Sequence, residues 1–347
     1  ACGSGISFCL QMGPPSDSHA TRSRSPKRKT DVAEVVEVTQ LCTSLEAYLQ
    51  AVLDKASGDA SRVVLVLDLD ETSFTPLTED GLATSAWFED IMQRWAPRLE
   101  ETEGMSYTDT LKSVLAVVDA FYHRIPVGLT DARLPALLQQ CKTKGVASVG
   151  LTARRPELAP ATWCQMRSNC ELVFESLAPD RDPEAIAALE KYLRSPEHVP
   201  DPASWEGISC ERGIWFTANA NKGSMLRNLL EPEKHVIFVD DSLRHVKAVR
   251  ASLDGHAASV TALHFTAATT AAKRKLDATS CDRALAGHLA SLFAEKDEAI
   301  LKLVQERQAF LRRFISDHVS CEQETQRNMH PRLQELARIL SDQGSHL

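Results

Sequence analysis

Two pairs of acidic residues stand out because each follows a short apolar run. Asp68 and Asp70, in Asp68-Leu69-Asp70-Glu71-Thr72, follow five aliphatics at 63–67; Asp240 and Asp241 follow the apolar residues 236–239. In an extended chain, residues two apart point to the same side. Asp68 and Asp70 are therefore expected to project together from the carboxyl end of a strand, where open α/β sheets hold their ligands. Neighbouring carboxylates repel each other, which favours a bound cation, and an all-oxygen donor set suits magnesium. One carboxylate can attack a phosphorus atom while its neighbour gives a proton to the leaving group and later takes one from water. A solvated acidic turn is the plainer account of the first pair taken alone. A helix N-cap accounts for Asp241, but not for two acids in succession.

Three further residues suit the same chemistry. Thr152 ends the apolar stretch 146–151, and a hydroxyl there, followed by a helix N-terminus, can hold a phosphate oxygen. Arg154 or Arg155, just beyond, can add charge-assisted hydrogen bonds to the phosphate or to the rest of a substrate. Lys222 opens a helical stretch, where its charge opposes the macrodipole, so helix preference does not explain it. Facing carboxylates and a phosphate, it would neutralise negative charge. Each of these has an ordinary alternative as a cap or a surface charge.

The elements that must position these residues alternate between strand and helix. The runs at 63–67, 146–151 and 236–239 read as strands buried on both faces of a parallel sheet. A helical periodicity begins at Asp31 and includes Val35, Val38, Leu41, Leu45 and Leu49. Residues 74–144 read as a mostly helical insertion, with helices expected at 87–99, 108–122 and 131–141. Residues 175–206 read as a loop-rich insertion, 208–216 as a hairpin, 222–230 and 242–253 as helices, and 259–265 as a strand. Beyond 266 the chain reads as a helical extension, amphipathic over 288–315. Residues 1–30, rich in Ser, Pro, Gly and Arg, read as a disordered basic segment. The expected fold is α/β, a three-layer sandwich around a mainly parallel sheet with helical insertions.

Composition narrows the function. The chain has 347 residues, 43% hydrophobic and 25% charged, with a net charge of −8. Residues 1–30 hold five bases and one acid, so the acidic excess lies entirely in the remainder. An acidic body is poorly suited to extended nucleic-acid binding. The basic run SRSPKRKT reads as a solvated tail or a nuclear-import segment. No apolar stretch approaches the length of a membrane span, and residues 1–13 lack the continuous apolar core of a signal peptide. Nine cysteines, with no CxxC pair, suggest reduced and mostly buried thiols. A cytoplasmic location is expected, with secreted and nuclear ones as alternatives.

Taken in order, Asp68/Asp70/Thr72, Thr152, Lys222 and Asp240/Asp241 resemble the signature of the haloacid dehalogenase (HAD) superfamily across residues 63–265. That resemblance implies a Rossmann-like core, Mg2+ dependence and an aspartyl-phosphate intermediate on Asp68, with Asp70 as acid and base. It implies phosphate or substrate binding by Thr72, Thr152, Arg154 and Lys222, and a metal held by Asp68, Asp70, Asp240 and Asp241, Asp70 through its backbone carbonyl. An acid at position 70 resembles the phosphatase and phosphotransferase branches. DLDET with Thr152-Ala153-Arg154 looks like an uncharacterised bacterial HAD-like family and like the DxDET acid phosphatases. VLDLDET also resembles the carboxy-terminal-domain protein phosphatases, but Ser73 and Asp241 stand where those carry Leu and Asn. The expected activity is hydrolysis of a phosphorylated small molecule or phosphoprotein. A protein serine/threonine phosphatase and a non-catalytic scaffold are the alternatives.

Overall fold

A computed structural model of the chain describes residues 35–169, 172–175, 183–199, 205 and 207–294. The five aliphatics Val63–Leu67 form β2, buried at every position. Burial on both faces follows from the pleat. Val63, Leu65 and Leu67 join one hydrophobic core, and Val64 and Val66 join another on the opposite side. The first core receives α1 (Leu41–Lys55), α4 (Leu134–Lys144) and α5 (Ala159–Asn169). The second receives α6 (Pro183–Leu193), α7 (Lys222–Leu229) and α8 (Leu243–Leu253). The fold is thus a three-layer α/β sandwich of the Rossmann-like kind.

The central sheet has seven strands. With β1 (Val36–Val38), β5 (Ala147–Thr152), β6 (Ser209–Glu211), β7 (Ile214–Phe216), β8 (His235–Asp240) and β9 (Ser259–Phe265), their order is β1-β9-β8-β2-β5-β7-β6. Every neighbouring pair is parallel except β6 with β7, which form the expected hairpin at the sheet's edge. The chain builds outward from β2 through β5 to β7, then returns to lay β8 on the other side of β2. That reversal makes a topological switch point, and it opens a crevice at the carboxyl ends of β2 and β8. Leu67 lies opposite both Val239 and Gly150, so the ends of β8 and β5 flank the residue after β2.

Two boundaries differ from their sequence readings. Residues 36–38 are an edge strand paired with β9, and the helix begins only at Leu41. The valines fit helix and strand periods over so short a span, and pairing with Leu263 and Phe265 selects the strand. The helical start expected at Asp31, the basic segment and the amphipathic stretch beyond 294 lie outside the described residues. Within 74–144, α4 packs in the main core beside α1, so only the preceding part stands apart. There α2 (Ser85–Glu103) and α3 (Tyr107–Tyr122) rise from a two-stranded ribbon of β3 (Phe74–Pro76) and β4 (Val127–Leu129).

Those two helices form a cap with its own hydrophobic core. Trp87, Ile91 and Trp95 of α2 and Val114, Val117 and Phe121 of α3 meet Leu285, Leu289 and Leu292 of α10 (Ala278–Ala294), which follows α9 (Ala267–Lys275). Arg94 of α2 grips Asp282 of α10 at 2.6 and 3.0 Å. The segment after β9 thus returns to complete the cap. Among the described residues, no helix is long and apolar enough to cross a membrane.

Candidate active site

Asp68 immediately follows β2, and its backbone N–H continues the ladder by donating to the Val239 carbonyl at 3.0 Å. Its side chain therefore sits beside Asp240, the last residue of β8. Between them lies Lys222, 1% exposed, whose Nζ donates to Asp68 Oδ1 at 2.6 Å and Asp240 Oδ2 at 2.7 Å. A buried ammonium is tolerable only with such partners. Asn221 caps α7 by accepting from Gly223 and Ser224 N–H groups, which fixes where Lys222 starts. Gly223 lets α7 press on α8, since a Cβ there would lie 2.4 Å from the Ala248 carbonyl oxygen.

Oxygens of Asp68, Asp240 and Asp241 lie within 4.8 Å of one another. Asp240 is held on both oxygens: Oδ1 accepts from Ser242 N–H, and Oδ2 from Lys222 and from His245 at 3.3 Å, which leaves acceptor capacity on Oδ1. Burial would raise its pKa, but Lys222 and His245 outweigh that and hold it low. The Asp241 carboxylate accepts no hydrogen bond from a described residue, and burial together with the charges of Asp68 and Asp240 pushes its pKa up to about 9. Asp68 is pushed up to about 8 by burial, against the pull of Lys222, with Asp240 and Asp70 adding to the rise. Two acids whose ionisation is opposed by burial and by neighbouring carboxylates mark a site short of positive charge. A hard dication such as Mg2+ fits that oxygen-only donor set.

Asp70 stands apart from this cluster. Arg154 Nε donates to its Oδ2 at 2.9 Å and Nη2 to its Oδ1 at 2.6 Å, and the Tyr122 hydroxyl donates to Oδ1 at 2.9 Å. Burial acts to raise its pKa, but the arginine outweighs it and holds the carboxyl below its usual range. The side chain is still 37% exposed, so one face of it meets the cleft. Arg154, expected to touch substrate, has internal partners throughout. Nη1 also donates to Thr162 at 2.7 Å and Gln165 at 2.9 Å, and Nη2 to Tyr122 at 3.1 Å. All five N–H groups of a guanidinium are thereby engaged. Arg155 pairs with Asp119 on α3.

Thr152 ends β5, and its hydroxyl accepts from Arg154 N–H at 3.2 Å, which leaves its own proton to donate. Thr72 is internal as well. It is fully buried, its hydroxyl meets neither solvent nor a described partner, and its carbonyl accepts from Thr130. It belongs to the turn that seats β4 rather than to the acidic cluster. Sequence reasoning missed Glu71, Tyr122 and His245. Glu71 adopts a left-handed φ of 55° and accepts from Ser85 N–H and Oγ, both at 2.7 Å, at the start of α2. An acid beside a helix N-terminus was findable once that helix was placed. His245 lies one turn past the second acid pair. Tyr122, 52 residues beyond Asp70, carried no local signal.

No curated protein and no solved structure matches the chain. A family model, described as protein of unknown function (DUF2608), matches residues 42–291, which takes in the cap, the central strands and every residue of the site. The chain belongs to that family, DUF2608.

Proposed function

We propose that the chain is a magnesium-dependent phosphomonoester hydrolase, a HAD-type phosphatase that transfers the phosphoryl group to Asp68. One observation carries the reading: a buried lysine bridges the acids ending two adjacent parallel strands, with a third, unpartnered carboxylate beside them. Lys222 holds Asp68 Oδ1, so Oδ2 is the oxygen free to attack phosphorus. Attack forms a bond from Asp68 to phosphorus as the ester oxygen departs. Thr152 donates to the transferring group, and Lys222 offsets its charge. Water then attacks the aspartyl phosphate, Asp70 takes its proton, and inorganic phosphate leaves with Asp68 restored.

Bound to Asp68, Asp240 and Asp241, Mg2+ would supply the charge that lets three acids and a phosphate share one pocket. Asp70, ionised by Arg154, is ready as the base of the second step. As the acid of the first step it must first acquire a proton. Esters with a stabilised leaving group should therefore be phosphoryl donors that need it least. The cap seated beside Asp70 favours a small phosphorylated molecule over a folded phosphoprotein.

The test is turnover of p-nitrophenyl phosphate, and of a panel of phosphorylated metabolites and peptides, with and without Mg2+. Release of phosphate that needs Mg2+ and disappears in Asp68→Asn is the expected result. Failure to hydrolyse any of them would sink the reading.

A further inference from the structure

The acid after the nucleophile is held from two separate parts of the chain. Arg154, just past β5, forks onto both oxygens of Asp70. Tyr122, the last residue of α3 and hence of the cap, donates to one of those oxygens and accepts from the same guanidinium. The tyrosine ring also lies against the guanidinium, 4.5 Å from its carbon to the ring centroid, with Phe74 at 5.1 Å on another side. Gln165 of α5 closes the loop. Its Oε1 accepts from Arg154, and its Nε2 donates to the backbone carbonyls of Tyr122 at 2.8 Å and Ile125 at 3.3 Å. One glutamine therefore fixes the arginine and the chain leaving the cap.

The other end of the cap is tied to the same loop. Glu71, adjacent to Asp70, holds Ser85 at the start of α2. The first helix of the cap begins on Glu71 and the second ends on Asp70. The position of the Asp70 carboxylate and the seat of the cap are thus one geometry. Nothing about stability calls for this arrangement, because a buried arginine could be matched by any acid. Asp70 is unusual in being gripped on one side and open on the other, with its side chain 37% exposed. Half-open geometry suits a carboxylate that must meet a proton carrier at one fixed place.

We propose that Tyr122 and Arg154 are positioning residues, a clamp that fixes the Asp70 carboxylate beside the nucleophile and links its placement to the seat of the cap. The proposal rests on the phosphatase reading, and deepens it by giving Asp70 its orienting groups. Tyr122 acts through Asp70, so the two should not contribute independently.

The experiment is a kinetic double-mutant cycle on the full chain with p-nitrophenyl phosphate and Mg2+, using Tyr122→Phe, Asp70→Asn and the pair. Phenylalanine keeps the ring and removes only the hydroxyl. Tyr122→Phe should lower kcat about tenfold with KM within about twofold, yet change kcat less than about twofold when Asp70 is already Asn. Arg154→Lys, which keeps the charge but not the fork, should behave like Tyr122→Phe; if it does not fold, the tyrosine cycle still decides. Equal losses from Tyr122→Phe in both backgrounds, or a loss confined to KM, would overturn the clamp while leaving the phosphatase reading intact. Absence of turnover in the unaltered protein would overturn both.

Discussion

At the residue scale, the candidate site is a problem in placing negative charge. Asp68 can serve as nucleophile only if one oxygen is held and the other is free, which Lys222 provides. Asp68→Asn keeps size and shape but removes the charge, so turnover should vanish while the melting temperature stays within a few degrees. Substantial activity in the purified variant would show that the nucleophile lies elsewhere. Asp70→Asn should separate the two half-reactions. An aryl phosphate needs little protonation of its leaving group, so it should still phosphorylate Asp68, giving a stoichiometric burst followed by slow turnover. An alkyl phosphate should lose the first step as well. Rapid-quench measurements on both esters decide this, and equal losses without a burst would reduce Asp70 to a structural acid. The acids and Lys222 were legible because each ends or begins a periodic run. Tyr122 and the internal role of Arg154 were not, since a guanidinium shows its partners only once the chain is folded.

The same acids predict a pH dependence. Burial and neighbouring carboxylates push the pKa of Asp68 up to about 8 and that of Asp241 up to about 9, well above the usual aspartate range. A raised acid favours the folded state while protonated, and that contribution is lost as pH climbs from about 4 towards 9. A cation must displace those protons to bind, so its affinity should rise over the upper part of that window. The increase in melting temperature caused by Mg2+ should therefore grow between pH 6 and 9, and shrink sharply in Asp241→Asn. A pH-independent Mg2+ effect would separate the metal from these carboxylates.

At the element scale, the chemistry depends on how closely α7 and α8 approach. Lys222 reaches its two partners because Gly223 allows α7 to rest against the backbone of α8. Added side-chain atoms would meet Ala248 O at 2.4 Å and Ser252 Oγ at 2.6 Å. Gly223→Val should therefore push the helices apart, costing about 1–3 kcal/mol of stability. Because the displaced lysine no longer offsets Asp68 and Asp240, kcat should fall further than the loss of folded protein explains. Denaturant unfolding and kinetics on the same sample test this, and a variant unchanged in both would show the approach to be uncritical. The strands β2, β5 and β8 were readable from short, largely apolar runs. β1 was not, because three residues of Val-Glu-Val carry too little periodicity to separate strand from helix, and their partner is 227 residues away at the nearest pairing. α4 was assigned to the insertion because its periodicity records an amphipathic helix but not the surface that its apolar face covers.

At the scale of the whole molecule, the cap core must be held in register with the two cores flanking the sheet by a few polar contacts. The sheet carries the acidic cluster, whereas the cap carries Tyr122 and is completed by α10 from the far end of the described chain. Leu285 and Leu289 of α10 are fully buried in the cap core, and neither belongs to the clusters around the sheet. Replacing either with Ala removes buried methyl and methylene groups and leaves a cavity, at a cost of about 2–5 kcal/mol. That cost falls on the cap. The cap should loosen first, taking the Tyr122 hydroxyl from Asp70 and the Ser85 end of α2 from Glu71, while β2 and β8 keep Asp68, Asp240 and Asp241 together. Leu289→Ala should consequently lower kcat while the Mg2+-induced rise in melting temperature persists. Hydrogen exchange should quicken in α2, α3 and α10 ahead of β2 and β8. If Mg2+ binding is lost in step with turnover, or if the central strands exchange as fast as the cap, the cap and the sheet form one cooperative unit and the acid is not positioned through a separable cap.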